Sequence, residues 1–263
     1  MDYNLNMDLP SISIITPTFN HIDFIRDTIE SVLDQNYPDL EYLVIDGGSI
    51  DGTVDLLKSY GDQIKWISEK DDGQSDAINK GLKMARGEIV GFINSDDLYL
   101  PGALEKVGKY FARFPAKIWV TGKCRTINIH GDEINKLVTM YKNLWLNFNS
   151  TKILYILNYI SQPSTFWRRD AIDQIGFLDE KLYFTMDYDY WLKLAKINKP
   201  GVIKDYLSLF RLYPSSKSGG TVKAQFEEEL SVACKSAPSE ALIILHKVHN
   251  KIIAALYSRL RGI

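Results

Sequence analysis

Four groups of residues in this 263-residue sequence have the types and spacing to do chemistry. The run Gly91-Phe92-Ile93-Asn94-Ser95-Asp96-Asp97 delivers two adjacent carboxylates to the end of an apolar stretch. Neighbouring carboxylates repel and lose hydration on burial, so the pair needs a compensating positive charge. A hard divalent cation suits it: Mg²⁺ and Mn²⁺ take oxygen ligands, and one or two carboxylates suffice when substrate phosphates complete the shell. Thr16-Pro17-Thr18-Phe19-Asn20 and Asp46-Gly47-Gly48-Ser49 bring hydroxyls, a carboxylate and a glycine pair to the ends of two further apolar runs. Met186-Asp187-Tyr188-Asp189 starts a helical pattern, where an acid is either a general base or a first-turn cap. Each strand-end group taken singly is also ordinary turn chemistry, with Asp and Asn capping helices and Gly supplying positive φ. Together they put hydroxyls, glycines and three carboxylates on one rim.

The elements that must hold them alternate. Strands are predicted at 11–16, 41–45, 64–67 and 88–93 from short β-branched runs closed by turn residues. Between them, apolar spacing predicts helices at 22–33, from Asp51 through Leu57, and at 75–85. This rhythm implies an α/β fold with a mostly parallel sheet covered on both faces. In such sheets ligands bind beyond the carboxyl ends of the strands, where the polar groups fall. After Pro101 the pattern loosens. A helix is predicted at 104–111, extended chain at 118–121, and a hairpin over 124–138 turning at His130-Gly131-Asp132. Residues 143–160 show no clear period; a helix follows at 187–195, extended chain at 202–211, and two helices fill 221–263.

The totals narrow the function. A formal net charge of −2 excludes bulk nucleic-acid binding through phosphate neutralisation. The two cysteines, Cys124 and Cys234, lie outside any metal-ligand spacing and read as reduced thiols of a cytoplasmic protein. The start MDYNLNMDLP has no signal-peptide pattern, and no apolar run reaches the roughly 20 residues of a membrane span. Neither a GxxxxGK[ST] loop nor a GxGxxG after the first strand is present, which argues against P-loop and dinucleotide sites.

SIITPTFN at 13–20, VIDGGSIDGT at 44–53, DDGQSDAINKG at 71–81 and NSDD at 94–97 resemble the family 2 glycosyltransferases of GT-A fold. QPSTFWRRDAIDQIGFLDE at 162–180 and MDYDYWLKLA at 186–195 continue the match, which covers roughly 11–218 and looks most like bacterial enzymes that build surface polysaccharides. The resemblance implies a GT-A domain over 1–220, with a nucleotide-binding half at 11–100, an acceptor half at 101–220, and a helical C-terminal extension at 221–263. It implies inverting transfer of a sugar from a nucleoside diphosphate donor, usually UDP, to a hydroxyl of a glycan or lipid-linked acceptor, with Mg²⁺ or Mn²⁺.

Carried over residue by residue, Thr16, Pro17, Thr18 and Asn20 would line the nucleoside pocket and Asp46 would accept a hydrogen bond from the base, beside Gly48. Asp76 and Asn79 would contact base or ribose, or simply serve as helix-end polarity. Asn94-Ser95-Asp96 stands where the family has DxD. With Asn94 replacing the first acid, the implied metal site is Asp96 as ligand with Asp97 in support, orienting Asp96, binding through water or capping the helix after Pro101; Asn94 would meet the ribose or leave metal affinity lower, and Ser95 would face the donor. Asp187 matches the family's base, with Met186 in place of the preceding Glu. Arg211 and Lys217 would offset diphosphate charge, and Trp191 would stack on a sugar or be core. Two other classes stay open: a nucleotidyltransferase, although TPTFNHIDF lacks the expected Gly-rich basic loop, and a non-catalytic nucleotide-sugar-binding module, which Asn94 and Met186 would suit. In the tail, Leu242, Leu245, Ile252, Ile253, Leu256 and Leu260 alternate with Lys247, Lys251, Arg259 and Arg261. Residues 239–262 therefore read either as a basic amphipathic helix lying peripherally on the inner face of the cell membrane, or as a helix packed on the core or on the second subunit of a homodimer.

Overall fold

A computed structural model describes residues 8–220 and 222–261. Its first half follows the predicted alternation: β1 (Ile12–Thr18), α1 (Ile22–Leu33), β2 (Leu40–Asp46), α2 (Thr53–Ser59), β3 (Lys65–Ser68), α3 (Gln74–Met84) and β4 (Ile89–Phe92). After these come β5 (Leu98–Tyr99), α4 (Ala103–Arg113), β6 (Trp119–Ile127), β7 (Glu133–Ile134), α5 (Lys136–Phe148) and α6 (Thr151–Leu154). The chain continues through β8 (Thr165–Arg168), α7 (Ala171–Ile175), α8 (Met186–Ile197), β9 (Gly201–Arg211), α9 (Lys217–Gly220), α10 (Val222–Ser236) and α11 (Glu240–Arg261).

The central sheet has the order β3-β2-β1-β4-β8-β6-β9-β5, with β7 paired to β6. From β3 to β4 all neighbours are parallel. The sheet as a whole is mixed, not mostly parallel: β8 runs antiparallel to both β4 and β6, and β5 antiparallel to β9. Strand alternation builds the core on both faces. Ile12 and Ile14 of β1 and Tyr42 and Val44 of β2 pack with Ile25 and Ile29 of α1. Ile15, Leu43 and Ile45 point the other way, onto Ala77 and Ile78 of α3. Strands covered on both faces are near-continuously apolar, which is why they stood out in the sequence.

The region without a clear period is helical, α5 and α6, separated at Asn149, whose left-handed φ of 46° ends α5. The predicted hairpin forms between β6 and β7, but Val138 already lies in α5. Trp191 is core: fully buried, it stacks on Trp119 with centroids 6.0 Å apart. Arg168 lies over the Phe111 ring and donates to the Lys117 carbonyl. The C-terminal helix buries His246 and Asn250 while exposing Ile244, Leu245, Val248 and Ile252. The side chains of Leu256, Arg259, Leu260 and Arg261, which continue its sequence pattern, lie outside the described residues. Among the described residues no helix is long and apolar enough to cross a membrane.

Candidate active site

A cleft of about 480 Å³ lies beyond the carboxyl ends of β1 and β4, roofed by the segment between β9 and α9. Eight of the anticipated residues line it: Pro17, Thr18, Asn94, Ser95, Asp96, Asp187, Arg211 and Lys217. Thr18 at the end of β1 has a buried hydroxyl with no protein partner. A polar atom buried without a bond is costly, which makes it a natural ligand contact.

The paired carboxylates face different ways. Asp96 looks into the cleft and accepts from the Tyr213 hydroxyl at 3.0 Å. Burial raises its pKa, and the His21 ring, the Tyr213 hydroxyl and Arg211 oppose the rise. Asp97 does not reach the cleft. It is fully buried, one oxygen accepting from the Arg211 N–H at 2.8 Å and the other from the Asn94 amide at 3.2 Å. Burial and the neighbouring Asp96 charge push its pKa well up, so its geometry gives it a fastening role in place of a metal contact. Asn94 links Asp97 to the cleft, accepting from Gln74 at 2.6 Å and donating to Gln162 at 3.3 Å. The Ser95 hydroxyl pairs with the His21 ring at 2.6 Å.

Other anticipated contacts lie elsewhere. Thr16 turns under the sheet to the Tyr42 hydroxyl, 3.0 Å away. Asp46 is fully buried: Oδ2 accepts from the Gly48 and Ser49 N–H groups and from the Ser68 hydroxyl, and Oδ1 from the Ser49 hydroxyl. These donors fill the carboxylate, so it shapes the Gly-Gly-Ser turn, where Gly48 takes a φ of +86°. Gly47 is needed for closeness, since a Cβ there would sit 2.6 Å from Asp71 Oδ2. Asn20, itself at a φ of 52°, ties the β1 loop to that turn by accepting from the Ile50 N–H and taking the Ser49 hydroxyl at its own N–H. Asp76 accepts from the Asp72 N–H just ahead of α3 and pairs with Lys80. Asn79 is buried and clasps Leu178 through both its N–H and carbonyl, donating also to Glu180.

Asp187 opens the second turn-side of the cleft from the start of α8 and accepts the Tyr188 N–H at 2.7 Å. Burial raises its pKa, opposed by that N–H and by the Lys142 and Lys217 charges. The helix is capped by neither of its own acids. Glu228, on α10, accepts the N–H groups of Tyr183, Phe184 and Thr185 and the Thr185 hydroxyl. Burial works against its ionised form, yet those donors hold its pKa below the usual value. Its neighbour Glu229 is buried near Asp187 and Lys142; burial, reinforced by Asp187, pushes it up to about 7. Lys217 donates to Gln74 at 2.8 Å and lies 4.3 Å from the Tyr183 ring centroid, its pKa lowered to about 8 by burial. The Arg211 guanidinium is engaged by the carbonyls of Asp96 and Ile129, while Lys217, held by Gln74, lines the cleft.

Gln74 and Gln162 stand inside motifs that carried the resemblance, so they were within reach of sequence reading. Lys142, Glu228 and Glu229 had no local signal. Among the described residues no three His, Cys, Asp or Glu side chains cluster as a metal site. A cation at Asp96 would therefore depend on oxygens from a bound diphosphate and water, which fits a hard ion held jointly with its substrate.

Strand-end chemistry of this kind on a Rossmann-like sheet defines a glycosyltransferase of GT-A fold. Residues 13–176 match the family model described as glycosyl transferase family 2, and the chain belongs to that family. It is 28% identical over 243 residues to an uncharacterized glycosyltransferase of Rickettsia typhi, covering 83% of this chain and 69% of that protein. TuaG of Bacillus subtilis, named for teichuronic acid biosynthesis, is 42% identical over 101 residues, 37% of this chain and 40% of that one. Chondroitin synthase of Pasteurella multocida is 28% identical over 73% of this chain, which spans only 19% of that enzyme. Two solved structures share the fold. S. aureus TarS 1–349 in complex with UDP-GlcNAc superposes with a TM-score of 0.66 at 21% identity, over 89% of this chain and 69% of that one. The mannosyltransferase PcManGT of Pyrobaculum calidifontis, in complex with GDP-Man and Mn²⁺, gives 0.69 at 18% identity, over 91% and 69%.

Proposed function

We propose that the chain catalyses inverting transfer of a sugar from a UDP-linked donor to a hydroxyl of a glycan or lipid-linked saccharide in polysaccharide synthesis. The observation that carries this reading is that Asp96, just after β4, and Asp187, at the start of α8, face one cleft beside the Lys217 ammonium. Asp187 would take the proton of the acceptor hydroxyl as that oxygen attacks the anomeric carbon. The carbon–oxygen bond to the diphosphate breaks on the opposite face, which inverts the centre. A carboxylate whose pKa burial has raised is a better base than a surface aspartate. Asp96 would hold a divalent cation, which supplies charge to the leaving diphosphate when bound. Lys217 adds a second positive charge, and the unpaired Thr18 hydroxyl offers the donor a hydrogen bond.

The resemblance favours uracil as the base; among the structural relatives, TarS binds UDP-GlcNAc and PcManGT binds GDP-Man. The test is a panel of UDP- and GDP-sugars with Mn²⁺, read as nucleoside diphosphate release and transfer in wild type and Asp187→Asn. Transfer is expected to fall about 10²–10⁴-fold in the variant while nucleotide still binds. Full transfer by Asp187→Asn would remove the base assignment, and a protein that binds no donor at all would remove the transferase reading.

A further inference from the structure

Two helices turn apolar stripes away from the core. On α5, Leu137, Met140, Leu144 and Phe148 recur every three or four residues and are 77%, 65%, 51% and 64% exposed. On α11, Ile244, Leu245, Val248 and Ile252 are 54%, 49%, 48% and 55% exposed. The helices meet at a seam where the Tyr141 and His249 rings stack, centroids 6.2 Å apart, and the tyrosine hydroxyl pairs with Nε2 at 3.0 Å. At about 100° per residue, Tyr141 neighbours Phe148 and Leu137 on its helix, and His249 neighbours Ile252 and Leu245 on the other. The buried Leu146 and His246 lie beyond the seam on the core side. The two stripes therefore flank the seam and form one continuous apolar face. Single exposed apolar residues are ordinary, but eight in one face mark an interaction surface.

Charge identifies the occupant. There is no Asp or Glu from 135 to 169, nor any after Glu240, in a chain that carries 33 acids. Lys136, Lys152, Lys247 and Lys251 are all exposed on these segments. A second copy of this chain seated on the face would set lysines against lysines, with Glu240 at the start of α11 the one acid on either helix to pair them. Aliphatic and aromatic residues bordered by four exposed lysines and that single acid instead match the boundary between anionic headgroups and acyl chains.

We infer that the α5–α11 face docks on the surface of an anionic lipid bilayer. Its apolar stripes enter the headgroup–acyl boundary and its lysines meet lipid phosphates. The inward side of α5 carries Lys142 toward Asp187. Resting on the transferase reading, this favours a lipid-linked acceptor over a free glycan.

Flotation of the full chain with phosphatidylcholine–phosphatidylglycerol vesicles, against phosphatidylcholine alone, tests the docking without any assay of transfer. The protein should float with the mixed vesicles and be released by salt. Leu144→Glu/Phe148→Glu and Lys247→Glu/Lys251→Glu should each weaken partition by more than about tenfold, whereas Lys58→Glu on α2 should not. Unchanged circular dichroism in the double variants establishes that they fold; Leu144→Ala/Phe148→Ala serves where they do not. Absence of flotation, flotation indifferent to both pairs, or a dimer by light scattering that Leu144→Glu/Phe148→Glu dissolves would each overturn the inference.

Discussion

Asp46, buried in the turn after β2, and Asp187, lining the cleft from the start of α8, are positioned by contrasting means. Asp46 is held by donors from its own turn and from Ser68 on the adjoining strand. The approach to Asp187 is held by Glu228, 43 residues from Thr185 and on another helix. The first half of the chain thus builds its rim from local turns on parallel strands. The second half positions Asp187 through partners the chain reaches only after closing the fold. Local construction tolerates little loss at each turn, whereas distributed construction lets distant side chains tune a reactive group.

The largest expected effect breaks the local side. Asp46→Ala leaves buried N–H and hydroxyl donors without an acceptor, and urea unfolding should show a loss of about 3–5 kcal/mol. A loss below 1 kcal/mol, by the same measure, would mean that the turn holds itself without Asp46.

Glu229 tests the distributed side through pH. With its ordinary pKa of 4.5 and a folded value of about 7, the native state binds the extra proton between those limits. Below 4.5 the group is protonated folded or unfolded and contributes nothing. As pH climbs through that window wild-type stability falls, and above it the penalty stays at about 3 kcal/mol. Glu229→Gln keeps the acceptor for the Asn158 N–H and cannot ionise. It should therefore be more stable than wild type by about 2–3 kcal/mol at pH 8, the gain vanishing near pH 5. A pH-independent difference in melting profiles would show that Glu229 is not buried as a charge beside Asp187.

The smallest effect sharpens the contrast. Glu228→Ala frees the N–H groups ahead of α8 and should slow transfer about tenfold, or 1.4 kcal/mol of barrier, while UDP affinity measured calorimetrically stays within about twofold. An equal loss of nucleotide affinity would mean that the halves are not built separately.

The same contrast explains what the sequence could reveal. Strands β1, β2 and β4 are covered on both faces, so Ile12 to Ile15 and Tyr42 to Ile45 announced themselves as apolar runs, and α1 was legible to the residue. The rim was legible for the same reason, because parallel strands end together. The direction in which each rim side chain turns was not. Asp97 and Asp96 are adjacent and chemically identical, and the Arg211 N–H arriving from β9 together with the Asn94 amide holds one of them inward. Asn79 and Asp76 shared a motif with Gln74, yet the Leu178 backbone claimed Asn79 and the Asp72 N–H and Lys80 claimed Asp76, while Gln74 reached the cleft. In the second half of the chain, α5 hid its period because both its faces carry apolar residues, one for the core and one for the outside.

Glu228 and Glu229 carry a consequence for how such a protein can change over generations. Two consecutive residues of α10 serve the loop before α8 and the carboxylate at its start, so the tail is not an appendage that can be exchanged freely. A recombination event that replaced everything after residue 220 would leave the parallel strands and their turns whole and remove the supports behind the 183–187 wall of the cleft. The tail and the 183–187 segment therefore form one heritable unit, and substitutions in either should be tolerated only when matched in the other.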